Sequence, residues 1–430
     1  MIDLEQELRV ALHAYADTMS PSDPPTGVAT NQPMEATPRD RRFLAAAAAV
    51  LIVCLGAGLL WFVRHPDGSA VTPSTPLVVG SWREPAAMPL SPRQFPSVLW
   101  TGSEFIVWGG QRLNSGLSDG AIYDPRSDRW RPMASNDRVR PGGLAVWADD
   151  RMVVLSGTGG EAYDPVSDRW SSMPTLEGVA ASGGFTDAVW SGGTLFGIGV
   201  HTAVDSPQQS LSVWRLDKPG GRWIPAGTTT ATGVGRPWRM VSTSEQFSVH
   251  DPITTDDGFV FWDGSRDGWR FSLGAGWERL PELAQYDGQV LIQNAEVVWS
   301  EGQLKAVALG QTATSSDTRV AGLAGGKWSA WVPVTSGAVM AARPVAAGRQ
   351  IVVLGTVTPG LESLPLLIDP ALATGSPMTG YALQTVIDQG AGWSGTSLLI
   401  CGGQTPETTG SDHTTGETGP ISSQCALWTP

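Results

Sequence analysis

AIYDPRSDRWRPM (residues 121–133) and EAYDPVSDRWSSM (161–173) are two copies of one unit. In each, Asp-Pro favours a tight turn, because proline fixes φ at the turn's second position. A tyrosine and a tryptophan stand seven residues apart across that turn, as Tyr123/Trp130 and Tyr163/Trp170. Each copy therefore reads as strand, turn, strand.

Upstream of each unit lies an apolar run ending in glycine, and this run recurs. FIVWGG begins at Phe105, MVVLSG at Met152, LFGIG at Leu195, FVFWDG at Phe259, LKAVALG at Leu304, IVVLG at Ile351 and LLICGG at Leu398. The intervals are 47, 43, 64, 45, 47 and 47 residues, with about 18 extra residues in the third repeat, within 202–250. Another short strand and turn precede the run, as SVLW-TGSE before Phe105, LAVW-ADDR before Met152 and VVW-SEGQ before Leu304. Strand hairpins repeating every ~45–50 residues are expected of propeller blades. The expected fold is all-β, a seven-bladed β-propeller over residues 78–430.

These residues resemble the kelch motif: a diglycine after the second strand, then a Tyr and a Trp. The resemblance to kelch-repeat, galactose-oxidase-like propellers covers roughly residues 78–430 and is carried by Gly109/Gly110, Tyr123/Trp130 and Tyr163/Trp170. Elsewhere it thins. The diglycine returns in full only at Gly402/Gly403. Trp223, Trp277 and Trp328 hold the tryptophan position of repeats three to five, and repeat six has only SPM near Met378. The last repeat ends CALWTP after its third strand, whereas the domain begins VGSWREPAAMP (79–89), which matches the fourth-strand pattern of DRWRPM. Trp82 and Met88 are therefore expected to complete the last blade from the N-terminal side, leaving no free terminal edge.

Ahead of the repeats the sequence changes character. Residues 1–20 form an expected amphipathic helix, with Leu4, Leu8, Ala11, Leu12, Tyr15 and Met19 on one stripe. Residues 21–42 are a Pro/Ser/Thr-rich linker. Residues 43–63 read FLAAAAAVLIVCLGAGLLWFV, 21 residues without charge or proline. As a helix that run spans about 30 Å, the thickness of a bilayer core. A cleavable signal peptide would have a shorter apolar region, nearer the N-terminus. Arg39, Arg41 and Arg42 precede the run, against Arg64 and His65 after it. The positive-inside rule then places the N-terminus in the cytoplasm and, past a linker at 64–77, the propeller outside. The expectation is a single-pass plasma-membrane protein.

The formal net charge is −13, and residues 43–430 hold 24 basic against 34 acidic side chains. A surface of that sign repels phosphate backbones, which argues against nucleic acid as a partner. Of three cysteines, Cys54 lies in the apolar run, where a thiol is a small apolar group. Cys401 and Cys425 fall on expected neighbouring strands of the last repeat, and in an oxidising compartment they could close the loop 404–424 with a disulfide. The alternative is two buried thiols facing different ways.

No catalytic constellation, metal set or cofactor motif stands out. His201, His250 and His413 lie in unrelated segments without metal-ligand spacing. The resemblance to kelch-type copper oxidases would require a Tyr/His/Cys ligand set that these residues do not supply. The recurring DPxSDRW turn is not the Asp box of sialidase-like propellers. Arg129 and Arg169 within it are expected to lie over the tryptophans. The pairs Asp149/Asp150 and Asp256/Asp257 read as hairpin turns.

Trp130, Trp170, Trp223, Trp277 and Trp328 recur at one register and are expected to pack between blades. Trp214, Trp238, Trp262, Trp269 and Trp393 are off that register and are candidates for a binding surface. The N-terminal stretch DLEQELRVALHAYADTM resembles short helices of actinobacterial membrane proteins, including some anti-sigma factors, without the zinc-ligand set of the latter. It is a candidate partner-docking helix through Leu4, Leu8, Leu12 and Tyr15. The leading functional expectation is a tethered extracellular module that binds a protein or cell-envelope polymer through its loops. Alternatives are a transmembrane sensor signalling through residues 2–19, and a glycan-acting enzyme with a site at the propeller axis.

Overall fold

The apolar run of each repeat lies in the second main strand of an antiparallel sheet, and seven such sheets follow one another, five of four strands, one of five and one of six. They form a seven-bladed β-propeller in a computed structural model. The structure describes residues 80–430 apart from 114, 137, 140–144, 180–183, 203–207, 217, 219, 233–251, 263–265, 336–338, 358–363, 372, 382, 384–386 and 407–417. The expected helix at 1–20, the linkers at 21–42 and 64–77, the apolar run 43–63 and the side chains Leu4, Leu8, Leu12, Tyr15 and Cys54 lie outside the described residues. Among the described residues, no helix is long and apolar enough to cross a membrane.

Blade one shows the plan. Its strands are Ser97–Trp100, Phe105–Trp108, Gly120–Asp124 and Arg129–Pro132, paired in that order from the axis outward. The innermost strands adjoin one another in turn, from blade one through blade seven and back to blade one. The ring closes as the sequence pattern requires. The outermost strand of blade seven is Ser81–Arg83, from the start of the domain, paired with Cys425–Thr429 at its end, with Trp82 opposite Trp428. The extra length of the third repeat goes partly into long strands, Thr194–Thr202, Gln208–Leu216 and Trp223–Thr232. The rest, 233–251, is outside the described residues.

There is no single core. Seven apolar clusters each join two adjacent blades; Val98, Phe105 and Val107 of blade one, for example, meet Leu399, Cys401 and Leu427 of blade seven. A sheet that is apolar on both faces needs a neighbour on each side, and a closed ring supplies it.

The repeated motif adds a polar clasp between blades. The phenol of buried Tyr123 donates to Asp128 Oδ1 at 2.6 Å, and Ala86 N–H donates to the same oxygen at 3.1 Å. Trp130 Nε1–H in turn donates to Ala86 O at 2.7 Å. One connector residue of the preceding blade is thus gripped through both its N–H and its carbonyl. Blade two repeats this: Tyr163 to Asp168, 2.6 Å; Ala134 N–H to Asp168, 2.8 Å; Trp170 to Ala134 O, 2.7 Å. Asp128 and Asp168 have φ of 55° and 54°, a region costly for most side chains but tolerated by Asp. The turn is fixed by Asp124, which accepts from Arg126 N–H and the Ser127 hydroxyl. Degenerate blades keep the indole arm: Trp223 donates to Pro174 O and Trp328 to Pro281 O.

Arg129 and Arg169 do not cover the tryptophans; both are exposed. The guanidinium over the Tyr123 ring, 6.0 Å from its centroid, belongs to Arg83 of the preceding blade, which also donates to Asp128 at 2.9 Å. On the outermost strand, the arginine that follows the tryptophan, Arg83 after Trp82, points across the blade interface, and the one that precedes it, Arg129 before Trp130, points to water.

Cys401 and Cys425 sit directly opposite each other on paired strands of blade seven and are joined by a disulfide. The bond closes a loop spanning 24 residues in the blade that seals the ring. Replacing both cysteines by serine is expected to cost roughly 2–4 kcal/mol, read as a lower denaturant midpoint that reducing agent no longer shifts.

The clasp carboxylate predicts an acid response. The hydrogen bond from Tyr123, then those from Arg83 and Ala86 N–H, pull the Asp128 pKa down to about 2. The unfolded value is about 3.9. A carboxylate depressed on folding adds stability above the unfolded value and loses it as pH falls through the folded one. Asp128→Asn should cost about 1–2 kcal/mol at neutral pH. Its melting-temperature gap to the native chain should close between pH about 4 and about 2.

Candidate functional site: the two ends of the axis

Strands alternate in direction within each blade, so the propeller has two unlike faces. Tight turns joining first to second and third to fourth strands lie on one, the turn face. Loops between second and third strands and the blade-to-blade connectors lie on the other, the loop face. The strand Ser81–Arg83 begins on the turn face.

On the loop face, the entries of the innermost strands of blades six, seven and one bring polar groups together. Gln94 Nε2 donates to Asp388 Oδ2 at 2.9 Å, and Arg343 Nη1 donates to Gln389 O at 2.5 Å. Gln389 is buried and its amide donates to the Tyr381 hydroxyl at 2.6 Å. Burial raises the Asp388 pKa, opposed by the Gln94 hydrogen bond and by Arg343. Phe95 and Asp388 have φ of 51° and 63°, and Asn294 at the same point of blade five has 49°. A bulky Phe in the left-handed region is a local strain that the surrounding ring must hold.

The diglycines brace this entry. Gly109, Gly110, Gly402 and Gly403 all have positive φ. A Cβ on Gly110 would lie 2.5 Å from Gln94 O, so only glycine lets the connector approach. Between them lies Arg93, with no exposed surface. It donates to Gly109 O at 2.9 Å, to Ser91 O at 3.0 Å and to both Asp119 carboxylate oxygens at 3.0 Å. Satisfying its donors offsets the cost of burying that charge.

The turn face carries a second set of tryptophans. Trp100, Trp147, Trp190, Trp299 and Trp393 all lie at or one residue before the end of an innermost strand, each paired with the first residue of the apolar run. All five are half-buried. Blades four and six have Thr254 and Ala346 there. The signal was in the sequence: each of these residues lies five before its run. Trp393, one of the candidate surface tryptophans, belongs to this set.

Of the other off-register tryptophans, two do not reach the surface. Trp214 and Trp262 are buried; Trp214 meets Phe185 edge-on at 5.6 Å, and Trp262 donates to Ala295 O at 2.6 Å. Trp269 packs on the cluster between blades three and four, and Trp238 is outside the described residues. Trp214, Trp262 and Trp269 thus pack into the interfaces between blades. Of the register tryptophans, Trp277 packs on Phe271 at 5.2 Å, and Trp82 meets Tyr381 at 4.8 Å. Buried Met378 fills the position in blade six. Asp149/Asp150 and Asp256/Asp257 lie in first-to-second-strand turns. No histidine side chain is among the described residues, and among those residues no group of His, Cys, Asp and Glu could hold a metal ion.

No protein-family model matches the chain, and no curated protein matches it. Solved structures do resemble it. An oligogalacturonate lyase in complex with manganese aligns with a TM-score of 0.51 at 11% identity, covering 81% of this chain and 96% of the lyase. The protein YjhT aligns with a TM-score of 0.42 at 12% identity, covering 68% and 98%. At such identity the likeness concerns the fold alone, and the chain is a seven-bladed β-propeller.

Asp388 gives a test of the loop-face cluster. A carboxyl whose pKa is raised on folding adds stability below the unfolded value, about 3.9, and loses it as pH rises through the folded one. Asp388→Asn should therefore raise the melting temperature at pH about 7, and the gain should vanish below pH about 4.

Proposed function

We propose that the chain is a membrane-tethered propeller displayed outside the cell, where it binds a protein or cell-envelope polymer. The observation that carries this reading is the Cys401–Cys425 bridge. Structural disulfides persist in oxidising surroundings, and this one follows a 21-residue apolar run with arginines on its N-terminal side. The kelch-like motif residues serve the scaffold: Tyr123, Trp130, Tyr163 and Trp170 are spent on the clasp. Ligand contact then falls to the axis ends and the loops. The chain enters the ring on the turn face, so the loop face lies at the far end of every blade.

A second reading, a glycan-acting enzyme, is favoured by one observation. Asp388 is a carboxyl with a raised pKa at the axis, with Arg343 acting on it, an arrangement suited to general acid–base work.

The test is protease shaving of intact cells, followed by affinity capture with the full chain and with residues 2–19 deleted. The expected result is loss of propeller epitopes on shaving and capture of envelope components that survives the deletion. Protection from protease overturns the placement. A cytoplasmic regulator lost on deletion would replace the binding module with a sensor. Turnover of a glycan panel that Asp388→Asn abolishes would establish the enzyme instead.

A further inference from the structure

Four of the turn-face tryptophans stand on consecutive blades. Trp393, Trp100, Trp147 and Trp190 lie at or one residue before the ends of the innermost strands of blades seven, one, two and three, and these strands adjoin in that order. They form an arc around one end of the axis. Face-packed sheets lie about 10 Å apart, a step that an extended oligosaccharide of several units bridges.

Ring packing does not demand these indoles. At the same register blade four has exposed Thr254 and blade six has half-buried Ala346, and the propeller closes regardless. Each indole has one part packed against the preceding blade and another part in water. A large aromatic left half-exposed, where threonine or alanine suffices for packing, is surface retained for contact.

The groups around the arc define the ligand's chemistry. The turns bearing it expose the hydroxyls of Ser103 and Thr396, while those of Thr101 and Ser394 hold the turns and Ser191 is buried, donating to Thr255 O at 2.6 Å. Its arginines are engaged: Arg131 pairs with Glu104 at 2.9 Å and Arg151 with Asp150 at 3.4 Å. Asp149 adds a further acid. Such a surface does not favour a polyanion. It suits a molecule with apolar C–H faces to lie on indoles and hydroxyls or amides to meet short polar side chains, which describes an uncharged sugar chain.

We propose that this arc is a stacking platform for a neutral polysaccharide, such as one built of N-acetylated hexosamine. The proposal rests on the reading of the propeller as a binding module, though not on which compartment holds it. Trp299 lies outside the arc between Thr254 and Ala346; its indole N–H donates to Asp256 at 3.0 Å, and Arg270 lies 5.8 Å from its ring. It is the internal control.

The experiment titrates the full chain, purified in a zwitterionic detergent, with a neutral N-acetylglucosamine oligomer and separately with oligogalacturonate. Calorimetry and tryptophan fluorescence are the readouts. The neutral oligomer should bind and the polyanion should not. Trp100→Ala and Trp147→Ala should each weaken binding about tenfold, and Trp299→Ala should leave it unchanged. Melting temperatures report that the variants fold, and Trp100→Thr and Trp147→Thr, which borrow the residue of blade four, serve if the alanine forms do not. Binding that survives the Trp100→Ala/Trp147→Ala double change overturns the platform, as does failure of the neutral oligomer to bind. If no sugar binds while envelope proteins are still captured, the platform falls and the binding module stands. If neither is captured, both fall.

Discussion

Asp128 and Asp168 hold the molecule's central interaction: one carboxylate joins a tyrosine of its own blade to a backbone N–H of the blade before. The tryptophan two residues later takes the carbonyl of that same connector residue. The apolar clusters supply the attraction between blades, but burial is non-directional and does not fix how one sheet sits on the next. Hydrogen bonds to a single backbone unit do. Burial raises the Tyr123 pKa while hydrogen bonding lowers that of Asp128, so across the neutral range the phenol stays a donor and the carboxylate an acceptor.

The same constraint explains the closing blade. Every interface needs two blades, and Cys425–Thr429 of blade seven needs a strand on its outer side. Ser81–Arg83 supplies the missing strand, and Arg83 then reaches forward to the clasp of blade one. A disulfide across the same blade and buried Arg93 between two diglycines reinforce the seam where the two ends of the propeller meet. Rigidity is therefore concentrated where a ring of noncovalent blades would open first. Positions outside the clasp and the seam are where recognition can vary.

Much of this was legible because it repeats. The apolar runs mark the second strands, the DPxSDRW turns mark the third and fourth, and SWRE near the start matches DRWR well enough to foretell closure. Roles set by direction rather than spacing were not. Arg129 and Arg83 stand on opposite sides of one interface, and only packing shows that the second covers Tyr123. Trp262 and Trp393 look alike as off-register residues, yet one is buried under blade five and the other edges the turn face. The tryptophan ring was present as a fixed offset from each run, but its meaning needed the strands assembled around an axis.

The sequence by itself determined the blade count, the strand order and the closing strand, because hydrophobic period, turn chemistry and repeat length are local properties of the chain. It also carried the cysteine pair and the position of the apolar run. The tertiary structure alone decided which side chains meet across blades. Residues separated by one repeat, such as Ala86 and Trp130, or by most of the domain, such as Gln94 and Asp388, become neighbours only when the sheets close on themselves. A periodic sequence specifies its repeating unit, and the contacts at its seams and axis follow from how many units make the ring.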